Sequence, residues 1–331
     1  MEAMRTTVDA ACSVDGPSGV REAAQRELER DVLAAPPALV QLIGALGPFL
    51  TSTDARTRAR GTDVLARVLG VLRASPVEAG ALEHLVRFFA DRLDDVPCIN
   101  ASLRAVRALA ERADLPAEQV AALSTSLSAR VHVPSLAQPE RLAAYEVLRA
   151  LVGVHAHTIA LLGLAPALAM GVAKAIDGEK DPRNLLVTFK LSRSAADELA
   201  AALERAGGSE GEGAPTRALE PSLDELFDVL GCYFPVKFTP PPPSRDTARI
   251  TEAQLRDAWH AAACARTLSG RTVKMLATIL ADAAVPPKLD AARALGACAR
   301  SLGRAALAPD AERLGRALAS FLDFSQGARI R

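Results

Sequence analysis

The densest set of ionisable side chains in this sequence is Asp177, Glu179, Lys180, Asp181 and Arg183. Carboxylates beside a lysine can exchange protons with a substrate when a cleft gathers them. Here they follow one another along a single short turn with no His or Cys beside them, and Pro182 marks the start of a helix. That arrangement predicts a capping carboxylate and a basic residue that ladders between structural repeats, with contact to a partner protein as the second reading for Lys180, Asp181 and Arg183. His155 and His157 have ligand-like spacing, but a metal site needs three or four donors and none lies near them in sequence. Gly207, Gly208, Gly211 and Gly213 neither follow a strand nor lead into a GK[ST] sequence, so a phosphate loop is not expected. The expectation is a chain without catalytic residues, cofactor or metal.

The five cysteines, Cys12, Cys98, Cys232, Cys264 and Cys298, are dispersed and form no CxxC pair. They read as reduced, buried thiols of a cytosolic or nuclear protein, and their spacing does not suit an iron–sulfur cluster. The N-terminus, MEAMRTTVDAACSVDG, has acidic residues and no sustained apolar core, so no signal peptide is expected there. The longest apolar run, Thr158 to Ala173, is shorter than a bilayer span and contains Pro166, which predicts two buried helices and no membrane partner. Lys+Arg and Asp+Glu both number 39. This balance gives no bulk attraction to nucleic acid, and the local cluster Arg56, Arg58, Arg60 and Arg67 reads first as a solvated helix face.

A second kind of chemistry is recognition. Aromatic residues make up only 4% of the chain, yet Phe227, Tyr233, Phe234 and Phe238 fall within twelve residues and run into Pro240 to Pro243. Proline fixes φ, lacks the amide proton and disfavours helix before it, so the helix over Ser222 to Gly231 should stop near Cys232 and pass into an extended strap. Tyr233 and Phe234 then either pin the strap over neighbouring helices or present a binding hot spot; pinning is the expectation.

The elements that position these groups are helices. Apolar residues recur at three- and four-residue spacing between Gly- and Pro-containing turns, and alternating β-branched runs are nearly absent. Turn markers at Asp54, Asp95, Gln138 and Asp181 lie about 41, 43 and 43 residues apart. A period of that size with a helix on each side predicts an all-α HEAT/armadillo-type α-solenoid of about seven helical pairs. Arg56, Arg141 and Arg183, each just after a turn, are the expected ladder residues. The next turns are expected near Asp224 and at Pro286 to Lys288, and Thr251 should cap a helix through a capping box with Gln254. The expected organisation is repeats over 1–206, a flexible Gly/Glu-rich loop over 207–220, and further repeats over 221–331 interrupted by the strap at 232–249.

Three segments, FFADRLDD (Phe88 to Asp95), DGEKDPRNLLVTF (Asp177 to Phe189) and LFDVLGCYFPVKFTPPPP (Leu226 to Pro243), occur in an order and spacing that resemble the N-terminal region of the MMS-nineteen family of HEAT-repeat proteins. VHVPSLAQPER (Val131 to Arg141) and KLDAARAL (Lys288 to Leu295) are similar to it as well. The resemblance covers about Leu82 to Leu302. It implies a non-catalytic adaptor of the cytosolic iron–sulfur protein assembly targeting complex, acting in cytoplasm and nucleus, that holds no cluster itself. It also implies as partners a WD-repeat propeller subunit, a small carrier subunit, and iron–sulfur client helicases and polymerases of repair, replication and transcription. Family proteins are far longer and dock on the other subunits through C-terminal repeats that lie outside this sequence. A karyopherin-like transport receptor is the rival built on the same repeat physics.

Overall fold

A computed structural model describes residues 2–207, 217–239, 250–282 and 285–327. Among them the regular structure is helical, with fifteen α-helices and three short 3₁₀ turns. The fold is all-α, as the periodicity predicts. Packing divides the chain into two units, residues 1–164 and 165–331, a division inside the stretch that the sequence groups as 1–206. The Gly/Glu-rich stretch 208–216 and the strap's Pro240 to Pro243 lie outside the described residues.

The first unit contains α1 (Glu2–Cys12), α2 (Ser18–Ala34), α3 (Ala38–Leu50), α4 (Ala55–Val71), α5 (Ala79–Arg92), α6 (Ile99–Ala110), α7 (Ala117–Arg130) and α8 (Gln138–Leu161). Consecutive helices pair as hairpins; α2, α4, α6 and α8 neighbour one another in one row, and α5 meets α7 in the other. This two-layer arrangement is that of HEAT-type units. α6 shows why stacking is obligatory. Leu103, Val106 and Leu109 are buried, and so are Ala101, Ala105, Ala108 and Ala110 around its circumference. Small residues on the remaining faces let α4 and α8 approach from both sides. Gly61 serves the same end in α4, where an added Cβ would stand 2.8 Å from Phe49 Cβ on α3.

Polar latches join successive hairpins at the turns. Asp54 caps α4 by accepting the Thr57 amide at 2.7 Å. Arg58, one turn into α4, donates to both carboxylate oxygens of Asp95 at 2.5 and 3.0 Å and to the Ser52 carbonyl at 2.9 Å. Arg92 donates to the same Asp95 and to the carbonyl of Leu50. One carboxylate thus ties the ends of two hairpins. The Arg58 guanidinium, by its hydrogen bond, holds the Asp95 carboxyl down at about 2. Arg112, buried, likewise donates to the carbonyls of Leu72 and Ser75, both at 2.9 Å. The expected ladder therefore exists with some different members. Arg58 and Arg92 make it in place of Arg56, because the helix turn at 58 faces the neighbouring hairpin. Arg183 folds back on Asp181 of its own turn, while Arg141 has the Leu136 carbonyl among its partners.

The second unit contains α9 (Ala165–Ile176), α10 (Pro182–Ala206), α11 (Glu220–Gly231), α12 (Glu252–Ala263), α13 (Ser269–Asp282), α14 (Val285–Leu307) and α15 (Ala311–Gly327). α9 packs on α10 and α11, α10 on α12, α12 on α14, and α13 on α14 and α15. α11 ends at Gly231 with Cys232 as its cap, and Thr251 and Gln254 form the expected capping box. The turn expected near Asp224 falls earlier, at Ala218 and Leu219, and Asp224 lies inside α11, where its carboxylate accepts from Arg271 Nε at 2.7 Å. Pro286 to Lys288 belong to the first turn of α14, a position proline tolerates because no intrahelical partner awaits its amide. Thr158 to Ala173 is the end of α8 and the start of α9, joined through Gly163 at φ +69°. Among the described residues no helix is long and apolar enough to cross a membrane.

The cysteine reading needs two corrections. Cys264 and Cys298 form a disulfide across a Cα–Cα distance of 5.2 Å, because the turn after α12 lies against α14, a contact 34 residues long in sequence that spacing rules do not see. Cys232 is exposed, whereas Cys12 and Cys98 are buried thiols; burial pushes the Cys12 thiol up to about 12.

Two predictions follow from the polar groups fixed by this packing. Asp95 contributes stability that is complete above its unfolded value of 3.8 and is lost as pH falls toward about 2. Asp95→Asn should lower the melting temperature at pH 7 by a few degrees and flatten the acid limb of urea midpoint against pH below 4. His155 is buried, its Nε2 donating to the Ala110 carbonyl at 3.0 Å, and burial lowers its pKa below 6.5. The unfolded chain therefore binds a proton first as pH drops, so stability falls below pH 6.5. His155→Gln should remove part of that slope, read from urea midpoints between pH 7.5 and 5.

Candidate interaction site

The turn between α9 and α10 is organised by Gly178 and Glu179. Gly178 sits at φ +71°, in the left-handed region that glycine enters without Cβ strain. Glu179 is buried, and its carboxylate accepts the amides of Lys180 and Asp181, both at 2.9 Å, and Asn184 Nδ2 at 2.8 Å. Asp181 caps α10 by accepting the Arg183 amide at 2.9 Å and also takes the Arg183 guanidinium at 2.7 and 3.0 Å. That guanidinium, with the turn amides, lowers the Asp181 pKa. The carboxylates are thus occupied as helix-end acceptors, while Lys180 and Arg183 stay exposed. The arrangement presents the Lys180 ammonium and the Asp181–Arg183 pair on a rigid turn.

The aromatic strap meets this turn. The Tyr233 hydroxyl donates to the Ile176 carbonyl at 2.9 Å, closing the C-terminal end of α9. Its ring stands edge-on to Phe189 of α10 with centroids 5.5 Å apart. Burial pushes the phenol up to about 12, with the carboxylates of Glu179 and Asp177 adding to the rise. Phe234, followed by a cis peptide to Pro235, lies 4.9 Å from the ring of Trp259 on α12, and Trp259 Nε1 donates to the Leu230 carbonyl at 2.8 Å. Farther along, the Phe238 amide donates to Glu252 at 3.2 Å and Lys237 pairs with Asp290 of α14 at 3.1 Å. Tyr233 and Phe234 are half-buried.

Lys180, Asp181, Arg183 and Tyr233 are therefore brought to one end of α9, whereas Phe234 turns away toward α12. Residues that sequence reasoning did not place here are Phe189, Trp259, Glu252 and Asp290. Each is 14 or more residues from its partner, with no local pattern announcing the pairing. Only the capping box at Thr251, which fixes where α12 begins, gave an indirect signal. His157 is exposed and His155 buried, so the two do not converge. Among the described residues no cluster of three His, Cys, Asp or Glu could hold a metal ion.

Comparison with known proteins assigns the chain. Residues 43–321 match the family model described as Dos2-interacting transcription regulator of RNA-Pol-II, the MMS19 N-terminal domain. The chain is 33% identical over 240 residues to the MMS19 nucleotide excision repair protein homolog of Arabidopsis thaliana, covering 71% of this chain and 20% of that protein. To the homolog of Homo sapiens it is 30% identical over 225 residues, 68% of this chain and 20% of the other. In Dictyostelium discoideum the match extends to 287 residues at 26% identity, 86% of this chain and 24% of the other. The chain thus spans about a fifth of the length of these curated relatives. A family model matching over most of the sequence, and relatives at this identity, establish that the chain belongs to the MMS19 family.

Proposed function

We propose that the chain is the N-terminal part of a non-catalytic adaptor that brings client proteins to the cytosolic iron–sulfur assembly targeting machinery. The observation that carries this reading is the family match over residues 43–321. It includes all three segments, Phe88 to Asp95, Asp177 to Phe189 and Leu226 to Pro243, on which the resemblance first rested. The relatives' printed names associate them with nucleotide excision repair, and iron–sulfur helicases of repair are clients of the kind such an adaptor would serve. Helical hairpins support the role physically, since they hold exposed turns on a packed frame over long distances. In this reading the propeller and carrier subunits are partners of the assembled complex, and the protein works in cytoplasm and nucleus.

On this proposal the exposed guanidinium and ammonium at Arg183 and Lys180 contribute to client contact, and Tyr233 holds the turn that carries them. The test is recovery of a cluster-containing repair helicase on the immobilised chain. Lys180→Glu with Arg183→Glu should reduce recovery with little change in melting. Tyr233→Phe removes one hydroxyl bond and should cost about 1 kcal/mol of stability; Tyr233→Ala should cost ~2–3 kcal/mol, part of the loss typical for a large buried ring. Failure of the unaltered chain to retain any iron–sulfur client or targeting subunit would remove the adaptor reading, and binding to the nuclear-transport GTPase would replace it with the karyopherin-like one.

A further inference from the structure

A concavity of the first unit lies where α4 passes α6. It has a volume of about 580 Å³ and is lined by Arg56, Ala59, Arg60 and Asp63 of α4, by Pro97 and by Asn100, Ala101 and Arg104 at the start of α6, with Val14 at one edge. Its charge is uneven. Three arginines face one aspartate, and that aspartate is already taken, since Arg104 donates to Asp63 and also to Asn100 Oδ1 at 3.2 Å. Arg67 approaches the same carboxylate at 3.4 Å.

Arg56 and Arg60 differ from almost every other arginine around them. Among the described residues neither guanidinium has a carboxylate oxygen within 4 Å or donates a hydrogen bond, although the Arg56 charge helps lower the Asp54 pKa. Asp54, the carboxylate nearest in sequence, is engaged by the Thr57 amide. By contrast Arg58, between them, is turned to the hairpin latch and held by Asp95 and the Ser52 carbonyl. The sequence RTRAR therefore sorts its arginines by helical phase: the middle one is structural, and the outer two point into the groove.

We propose that this groove binds an acidic, extended segment of a partner protein, with two carboxylates at alternate positions of the segment seated on Arg56 and Arg60. The spacing fits. Residues four apart on a helix are displaced by about 6 Å along its axis, and alternate residues of an extended chain by about 6.6 Å on the same face. Guanidinium forks are suited to bidentate carboxylate recognition. The apolar contribution of Val14, Ala59, Pro97 and Ala101 gives the intervening backbone and small side chains a surface to cover. It also disfavours a nucleic-acid strand, whose repeated phosphates need a longer run of cations than two free arginines on a chain of zero net charge. This inference stands apart from the adaptor reading, because binding of an acidic segment is measurable whichever complex the chain enters.

The test uses the full chain and a fluorescein-labelled dodecapeptide carrying Glu at alternate positions, with a peptide of the same composition whose Glu residues are clustered at one end. Fluorescence anisotropy at fixed salt should show saturable binding of the alternating peptide, weaker binding of the clustered one, and a loss of affinity of at least tenfold in Arg56→Gln/Arg60→Gln. Because neither side chain bonds to the fold, melting of that variant should match the parent. Ala59→Glu, which places a carboxylate in the groove floor, should abolish binding, and Arg193→Glu in the other unit should leave it intact. Absence of saturable binding, equal affinity of the Arg56→Gln/Arg60→Gln variant and the parent, or preferential binding of a twelve-nucleotide single strand lost in that variant would each overturn the proposal.

Discussion

A helical hairpin built from Ala and Leu carries apolar surface on more sides than its own two helices can cover. In the first unit the constraint is clearest at α6, whose alanines and leucines are buried on every side except the polar stripe of Asn100, Arg104 and Arg107. The backbone there can approach closely only because the side chains are small, and the energetic gain comes from removing apolar area from water at about 25 cal/mol per Å². Such burial is non-directional. It says that hairpins must stack but not in what register, and the polar groups at the turns supply that register. Asp95, holding Arg58 from one hairpin and Arg92 from the next, accepts only when both helix ends arrive together.

The second unit solves the same problem with aromatic rings. α11 stops at Gly231, and the chain that follows runs across helix ends, placing Tyr233 on α9 and Phe234 on α12. Proline and large rings suit that course, since a segment without helix still has to satisfy its backbone and cover apolar ends. Its contacts are spread over α9, α10, α12 and α14. The turn at 177–184 gains rigidity from both directions: its own buried Glu179 beneath and the Tyr233 ring beside it. Rigid presentation matters for recognition because less ordering entropy opposes binding.

Much of this was readable in the chain. Helix class, the turns at Asp54, Asp95 and Asp181, the capping box at Thr251 and the end of α11 all depend on local chemistry, which spacing and residue type report directly. What failed depended on three-dimensional neighbours. Arg56 and Arg58 are indistinguishable as sequence, yet two residues of helical rotation, about 200°, send one to a groove and the other to Asp95. Asp224 fits the repeat period but lies within α11, where its carboxylate meets Arg271. The Cys264–Cys298 bond and the Phe234–Trp259 contact join segments 34 and 25 residues apart, beyond the reach of any periodic pattern.

The carbonyl of Ile176 takes one hydrogen from the Glu179 amide of its own turn and a second from a phenol 57 residues downstream. A growing polypeptide emerges from the ribosome N-terminus first, at about 5–20 residues per second, so α9 is exposed for several seconds before its lid has been synthesised. During that interval the Glu179 amide of the same turn, 3.2 Å away, is the donor that the chain supplies to this carbonyl, and water fills the place the phenol later takes.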